Sequence, residues 1–77
     1  MPAPTDTALL TIEFDREDDG RWIAEVLELP GVMVYGNTKE EALAKAQALA
    51  FRVLADQIEQ QLSTQTSVSF RFREQVA

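Results

Sequence analysis

Carboxylates are the only reactive side chains that this chain holds in quantity. Thirteen aspartates and glutamates stand against seven lysines and arginines, and the 77 residues include no histidine and no cysteine. Glu17, Asp18 and Asp19 are consecutive. A calcium loop instead spaces its ligands at alternate positions and adds a later glutamate, so these three read as a solvated turn. Glu13, Asp15 and Glu25 alternate with apolar residues and would share one strand face, the layout of an acidic nuclease-like cluster. Arg71 and Arg73 alternate in the same way and would largely neutralise it, and there is no histidine to act as base near neutral pH. The serines and threonines likewise lack the histidine of a Ser-His-Asp arrangement. Lys39 and Lys45 fall on a solvated helix face, and Gly20, Gly31 and Gly36 lack the spacing of a phosphate-binding loop. No catalytic, cofactor-binding or metal-ligating set emerges. The expectation is a binding protein rather than an enzyme.

The elements that position these groups follow from periodicity. From Ala8 to Asp15 the chain alternates, with Leu10, Ile12 and Phe14 on one face and Leu9, Thr11, Glu13 and Asp15 on the other, as in a half-buried strand. Arg16 to Gly20 is a polar turn ending in Asp-Gly, a strong hairpin signal. A second strand over Arg21–Glu28 puts Trp22, Ala24 and Val26 on one face. Pairing Phe14 with Trp22, Ile12 with Ala24 and Leu10 with Val26 makes the apolar faces coincide.

The next fifteen residues, Glu28 to Ala42, define a strand-to-helix junction. Pro30 fixes its own backbone and donates no hydrogen bond, and Gly31 permits a positive φ, so the chain turns there. Val32–Tyr35 forms a third strand, Gly36-Asn37 breaks it, and Thr38 with Glu41 three residues on forms a capping box that starts a helix. Glu40 and Glu41 place negative charge at the positive end of the helix dipole. The helix is expected over 39–62. Its apolar arc comprises Leu43, Ala46, Leu49, Ala50, Val53, Leu54 and Ile58, widened by Phe51 and Leu62, and Glu41→Lys45 and Arg52→Asp56 are i,i+4 pairs. After the polar break Ser63-Thr64-Gln65, a last strand over 66–74 points Val68, Phe70 and Phe72 inward.

The order is β-β-β-α-β. A right-handed crossover brings the last strand parallel to the first, giving a two-layer α+β fold with sheet order 3-2-1-4 and one helix on one face. Arg71 and Arg73 then neighbour Glu13 and Asp15. Residues 1–7 read as a disordered lead and 8–77 as a single domain. The chain begins without a signal peptide and has no apolar run of membrane-spanning length, so a cytoplasmic protein is expected.

A chain this short gains little more from burial than the ~1.5 kcal/mol per ordered residue it loses in entropy. With no cysteine and no histidine, neither disulfides nor the usual zinc ligands can add support, so self-association into a dimer or tetramer is expected. The net charge of -6 argues against direct nucleic-acid binding and suits a basic partner. The face left bare by the helix should carry Leu9, Ile23, Glu25 and Leu27 among further polar residues, an apolar patch ringed by charges. With Trp22 and Tyr35, which serve either as core packing or as anchors, these are the candidate partner-binding residues.

The run from Phe14 to Leu43 resembles the HicB-like antitoxin family. The resemblance rests on Asp19-Gly20 followed by Trp22, on Ala24, on Leu29-Pro30-Gly31, on Gly36, and on Thr38 with Glu41 and Ala42. It covers residues 8 to about 60. It implies a partial ribonuclease-H-like fold and a protein that neutralises a HicA-like toxin, a small basic ribonuclease, by covering its catalytic histidine. An acidic chain meeting a basic nuclease agrees with that. Many HicB antitoxins continue into a C-terminal DNA-binding domain, a region with no counterpart in this sequence. The alternative is an orphan HicB-like oligomeric module that binds protein or a small ligand without a toxin partner. RNA binding through Arg71, Arg73 and Trp22 is a third, weaker reading.

Overall fold

The computed structural model describes residues 7–62, 64, 65 and 67–74. Residues 1–6 of the expected lead, Ser63 of the expected polar break, Thr66 and residues 75–77 lie outside the described residues. The elements run β1 (Thr7–Arg16), β2 (Trp22–Val26), β3 (Met33–Gly36), α1 (Lys39–Gln61) and β4 (Ser67–Glu74). They form one mixed sheet in the order β3-β2-β1-β4, with β1 antiparallel to β2 and parallel to β4. The α+β architecture and strand order are those expected. Thr7, assigned above to the lead, already belongs to β1.

The register of the first hairpin differs from the expected one by two residues. Ile12 faces Val26, Phe14 faces Ala24 and Arg16 faces Trp22. The loop lies one residue later than anticipated and closes on itself: the Glu17 amide donates to the Arg21 carbonyl at 2.7 Å and the Gly20 amide to the Glu17 carbonyl at 2.9 Å, with Gly20 at φ +92°. A shift of two preserves the facing of every side chain, so the core is unchanged. Arg73 faces Glu13 as expected, but Arg71 faces Thr11, and among the described residues the partner of Asp15 is Ile23.

β2 ends at Val26 instead of continuing to Glu28. The Val26 amide donates to the Val32 carbonyl at 2.9 Å, and the Val32 amide donates to the Leu29 carbonyl at 3.1 Å, closing a turn with Pro30 second and Gly31 third. Gly31 has φ +86°, the positive angle that a type II turn requires there. The turn buries Leu29 and Val32 at the end of the core.

α1 starts at Thr38, whose hydroxyl accepts from the Glu41 amide at 3.0 Å. Only this half of the capping box forms, because the Glu41 carboxylate pairs with Lys45 at 3.0 Å. The expected Arg52→Asp56 pair is replaced by a bond from the Gln60 amide group to Asp56 at 3.2 Å. Leu62 lies outside the helix as its C-cap, at φ 52° and 86% exposed, so it adds nothing to the apolar arc.

The buried stripe of α1 is Ala42, Ala46, Ala50 and Leu54, one residue every four. Three alanines let the helix lie close to the sheet, above Ile12, Ala24 and Val26. The approach is tightest at Gly36: a Cβ there would lie 2.5 Å from the Ala42 nitrogen and 2.9 Å from its Cα. The helix therefore sits over β3 and β2, meets β1 only lightly, and its backbone does not come near β4. Phe72, expected to point inward, faces the helix side but is 55% exposed.

Gly36→Ala is expected to cost about 2–3 kcal/mol by overpacking, lowering the melting temperature by roughly 10 °C or more. Gly20→Ala, where a Cβ meets nothing but φ is positive, should cost about 1–2 kcal/mol. Thermal unfolding of the two variants followed by circular dichroism checks the order.

Candidate functional site

The sheet face turned away from α1 is arranged in cross-strand rows. Tyr35, Ile23 and Asp15 form the first, and Met33, Glu25, Glu13 and Arg73 the second. Thr11 and Arg71 form the third, which Leu27 extends by donating its amide to the Thr11 carbonyl at 2.9 Å. Leu9 and Ser69 form the fourth.

Of the six candidate partner-binding residues, five thus share this side. Ile23, Glu25 and Tyr35 stand together. Leu27 comes next, and Leu9 lies beyond the end of β2, about 20 Å along β1 from the level of Ile23. Trp22 is on the opposite, helix-facing side, half-buried against the core, with the Arg16 guanidinium and the Lys39 ammonium each 5.6 Å from its ring centroid. Leu9, Leu27, Met33 and Tyr35 are between 39% and 50% exposed, so the patch is apolar at its ends. Met33 was missed by the sequence reading, although its spacing of two from Tyr35 carries the signal.

The second row concentrates charge. Glu13 and Glu25 face each other directly across the antiparallel pair, an arrangement that is destabilising between like charges. Arg73 lies 3.5 Å from Glu13 and is itself mostly exposed, so it offsets part of that repulsion. The Glu13 side chain is 18% exposed, and the neighbouring Glu25 is exposed.

Glu28 has a role that no periodicity announced. Where β2 turns away, the Thr11 amide loses its strand acceptor, and the Glu28 carboxylate takes it at 2.6 Å while accepting the Thr11 hydroxyl at 2.7 Å. Thr11 is thereby buried on an otherwise open face. Partial burial pushes the Glu28 carboxyl up, but the Thr11 hydroxyl and amide, the Glu28 amide and the Arg71 charge outweigh it and hold it below the ordinary glutamate value. In the hairpin, the Arg21 amide and guanidinium hold Asp19 low, and the same guanidinium lies 4.7 Å over the Tyr35 ring. That stacking fixes the Tyr35 ring at the rim of the patch, beside a hollow of about 210 Å³ between Arg21 and Lys45.

The motif residues behind the family resemblance have structural roles. Gly20, Pro30 and Gly31 make turns, while Gly36, Thr38, Glu41 and Ala42 build the contact between β3 and α1. Among the described residues no group of three acidic side chains is placed to hold a metal ion, and no helix is long and apolar enough to cross a membrane. Comparison with known proteins finds no matching family model, no matching curated protein and no matching solved structure.

Glu28→Gln is expected to destabilise the fold by about 1 kcal/mol at neutral pH, the scale of a charge-assisted hydrogen bond discounted for its exposure. A lowered folded-state pKa contributes stability above the ordinary value of 4.5 and loses it as the pH falls below that. The gap between wild type and variant should therefore close in acid. Urea unfolding at neutral pH and below pH 4 measures it.

Proposed function

We propose that this chain is a HicB-like antitoxin-type protein, acting in the cytoplasm by stoichiometric binding to neutralise a small basic ribonuclease of the HicA kind. The observation that carries the reading is the Glu13–Glu25 pair. Two carboxylates held face to face on an open sheet, flanked by exposed Met33 and Tyr35, gain from an incoming cation what they lose to each other. An arginine or lysine of a basic nuclease supplies that cation, and the apolar residues beside it supply the area that a stable interface needs. The net charge of -6 steers such a partner toward the chain before contact.

The strand order and the motif residues at turns and at the helix start agree with the partial ribonuclease-H-like fold that the resemblance implies. No residue of this chain has to perform chemistry. Covering the catalytic histidine of the nuclease is enough to silence it. A second reading, an orphan HicB-like module without a toxin, draws on the same exposed apolar residues as a surface for another protein or a small ligand.

The test is to express the reading frame beside its gene, expected to encode a small, basic, histidine-containing protein, and to mix the two products. A one-to-one complex and loss of ribonuclease activity are expected. Tyr35→Ala and Glu25→Lys should each weaken binding by about tenfold or more while leaving the melting curve close to wild type, and higher salt should slow association. Full nuclease activity in the presence of excess protein would overturn the antitoxin reading.

A further inference from the structure

The outer edge of β4 differs from every other surface of the molecule. β4 is eight residues long and ends the sheet, whereas β3 at the other edge has four. Among the described residues no strand pairs with its outer side. No proline or glycine interrupts it, and its only guard against another strand is charge, Arg71 and Arg73 on the open face and Glu74 at its end. On the helix side it presents Val68, Phe70 and Phe72. Phe51 of α1 stacks edge-on against Phe70 with centroids 5.6 Å apart and remains 50% exposed, and Phe72 is 55% exposed. These aromatic rings are bare because α1 sits over β2 and β3.

We infer that β4 is a dimerisation edge, two copies pairing β4 to β4 antiparallel about a two-fold axis at Phe70 to make one continuous eight-stranded sheet. The strand's own sequence selects a second copy as the occupant. An antiparallel self-pairing keeps the two faces separate only when it is centred on a residue. Centred on Arg71, arginine faces arginine, and centred on Phe72, Arg73 faces the partner's Arg71. Both put like charges opposite each other. Centred on Ser69, the ladder spans only Ser67 to Arg71 and leaves Phe72 unpaired. Centred on Phe70, it spans Ser67 to Arg73. Arg71 then faces the partner's Ser69 and Arg73 the partner's Ser67. On the helix side Phe70 meets itself and Phe72 meets the partner's Val68. This contact is isologous and closed, so it stops at two copies. It meets the acidic row only at Arg73, which ends that row on β4, and does not depend on the antitoxin reading.

Sedimentation equilibrium of the full chain across the micromolar range should show a mass of twice 8.6 kDa. Phe72→Lys, at an exposed position, should leave the melting curve near wild type and weaken the dimer by about tenfold or more, because it buries a charge in an apolar pair. The chain has no cysteine, so Ser69→Cys and Arg71→Cys can be mixed and oxidised. Cross-linking between the two variants should exceed that of either alone. A monomer throughout, a dimer that Phe72→Lys leaves intact, or one that Tyr35→Lys dissolves instead would overturn the inference. Preferential self-linking of either cysteine variant would overturn the Phe70-centred register.

Discussion

The end of β3 and the first turn of α1 meet backbone to backbone, with no side chain between them. Gly36 lies so near the Ala42 amide and the Thr38 carbonyl that a single methyl group would not fit. From that contact the helix can run only above β3 and β2, and Ala42, Ala46 and Ala50 keep it low along its length. A larger residue in the seam would lift the helix toward the middle of the sheet. As built, the helix covers the hairpin half well and leaves β4 to hold on through its ladder with β1, the Phe51–Phe70 stack and the Lys39–Glu74 ion pair. The bare aromatics along β4 are a consequence of where the helix begins.

This explains which parts of the fold were legible in the sequence. Alternation in β1 and β4, the Leu29-Pro30-Gly31 stop and the Thr38 cap are local signals, and each fixes an element and its facing without reference to anything distant. The two-residue register shift was not legible, because Phe14–Trp22 and Phe14–Ala24 pairings put the same residues inside. Only the bonds that close the Glu17–Arg21 loop choose between them. Helix placement was hidden for a related reason. An apolar arc shows that a face is buried, not which strands lie beneath it, and so Phe72 was assigned to the core. Glu28 was read as a strand residue because its role exists only once β2 has stopped two residues short of it and left the Thr11 amide open.

The candidate site was legible in outline through the same alternation, since every residue of its rows is odd-numbered, on β1 to β4 or, for Leu27, just past the end of β2. What the sequence did not reveal was the pairing of Glu13 with Glu25. Under the expected register those two carboxylates would have been offset along the strands, and the acidic face would have been diffuse. The observed register sets them opposite each other and puts Arg73 beside only one of them. Repulsion of this kind is tolerated in a small domain when water screens it, and it becomes an attraction for any cation that approaches.

The two surfaces are also arranged so that they do not compete. The arginines lie on β4, while Glu25, Met33 and Tyr35 lie on β2 and β3 at the far side of the sheet. Joining two sheets at β4 would gather four arginines at the centre of the shared open face and leave the acidic rows toward its two ends. A basic protein would be turned away from the middle and drawn to either end. Each copy would keep its own Glu13–Glu25 docking pair on β1 and β2, with β4 between that pair and the two-fold. The expected stoichiometry is then one partner per chain even within a dimer, because the charge that excludes a partner from the centre is the charge that the β4 register must space apart to form at all.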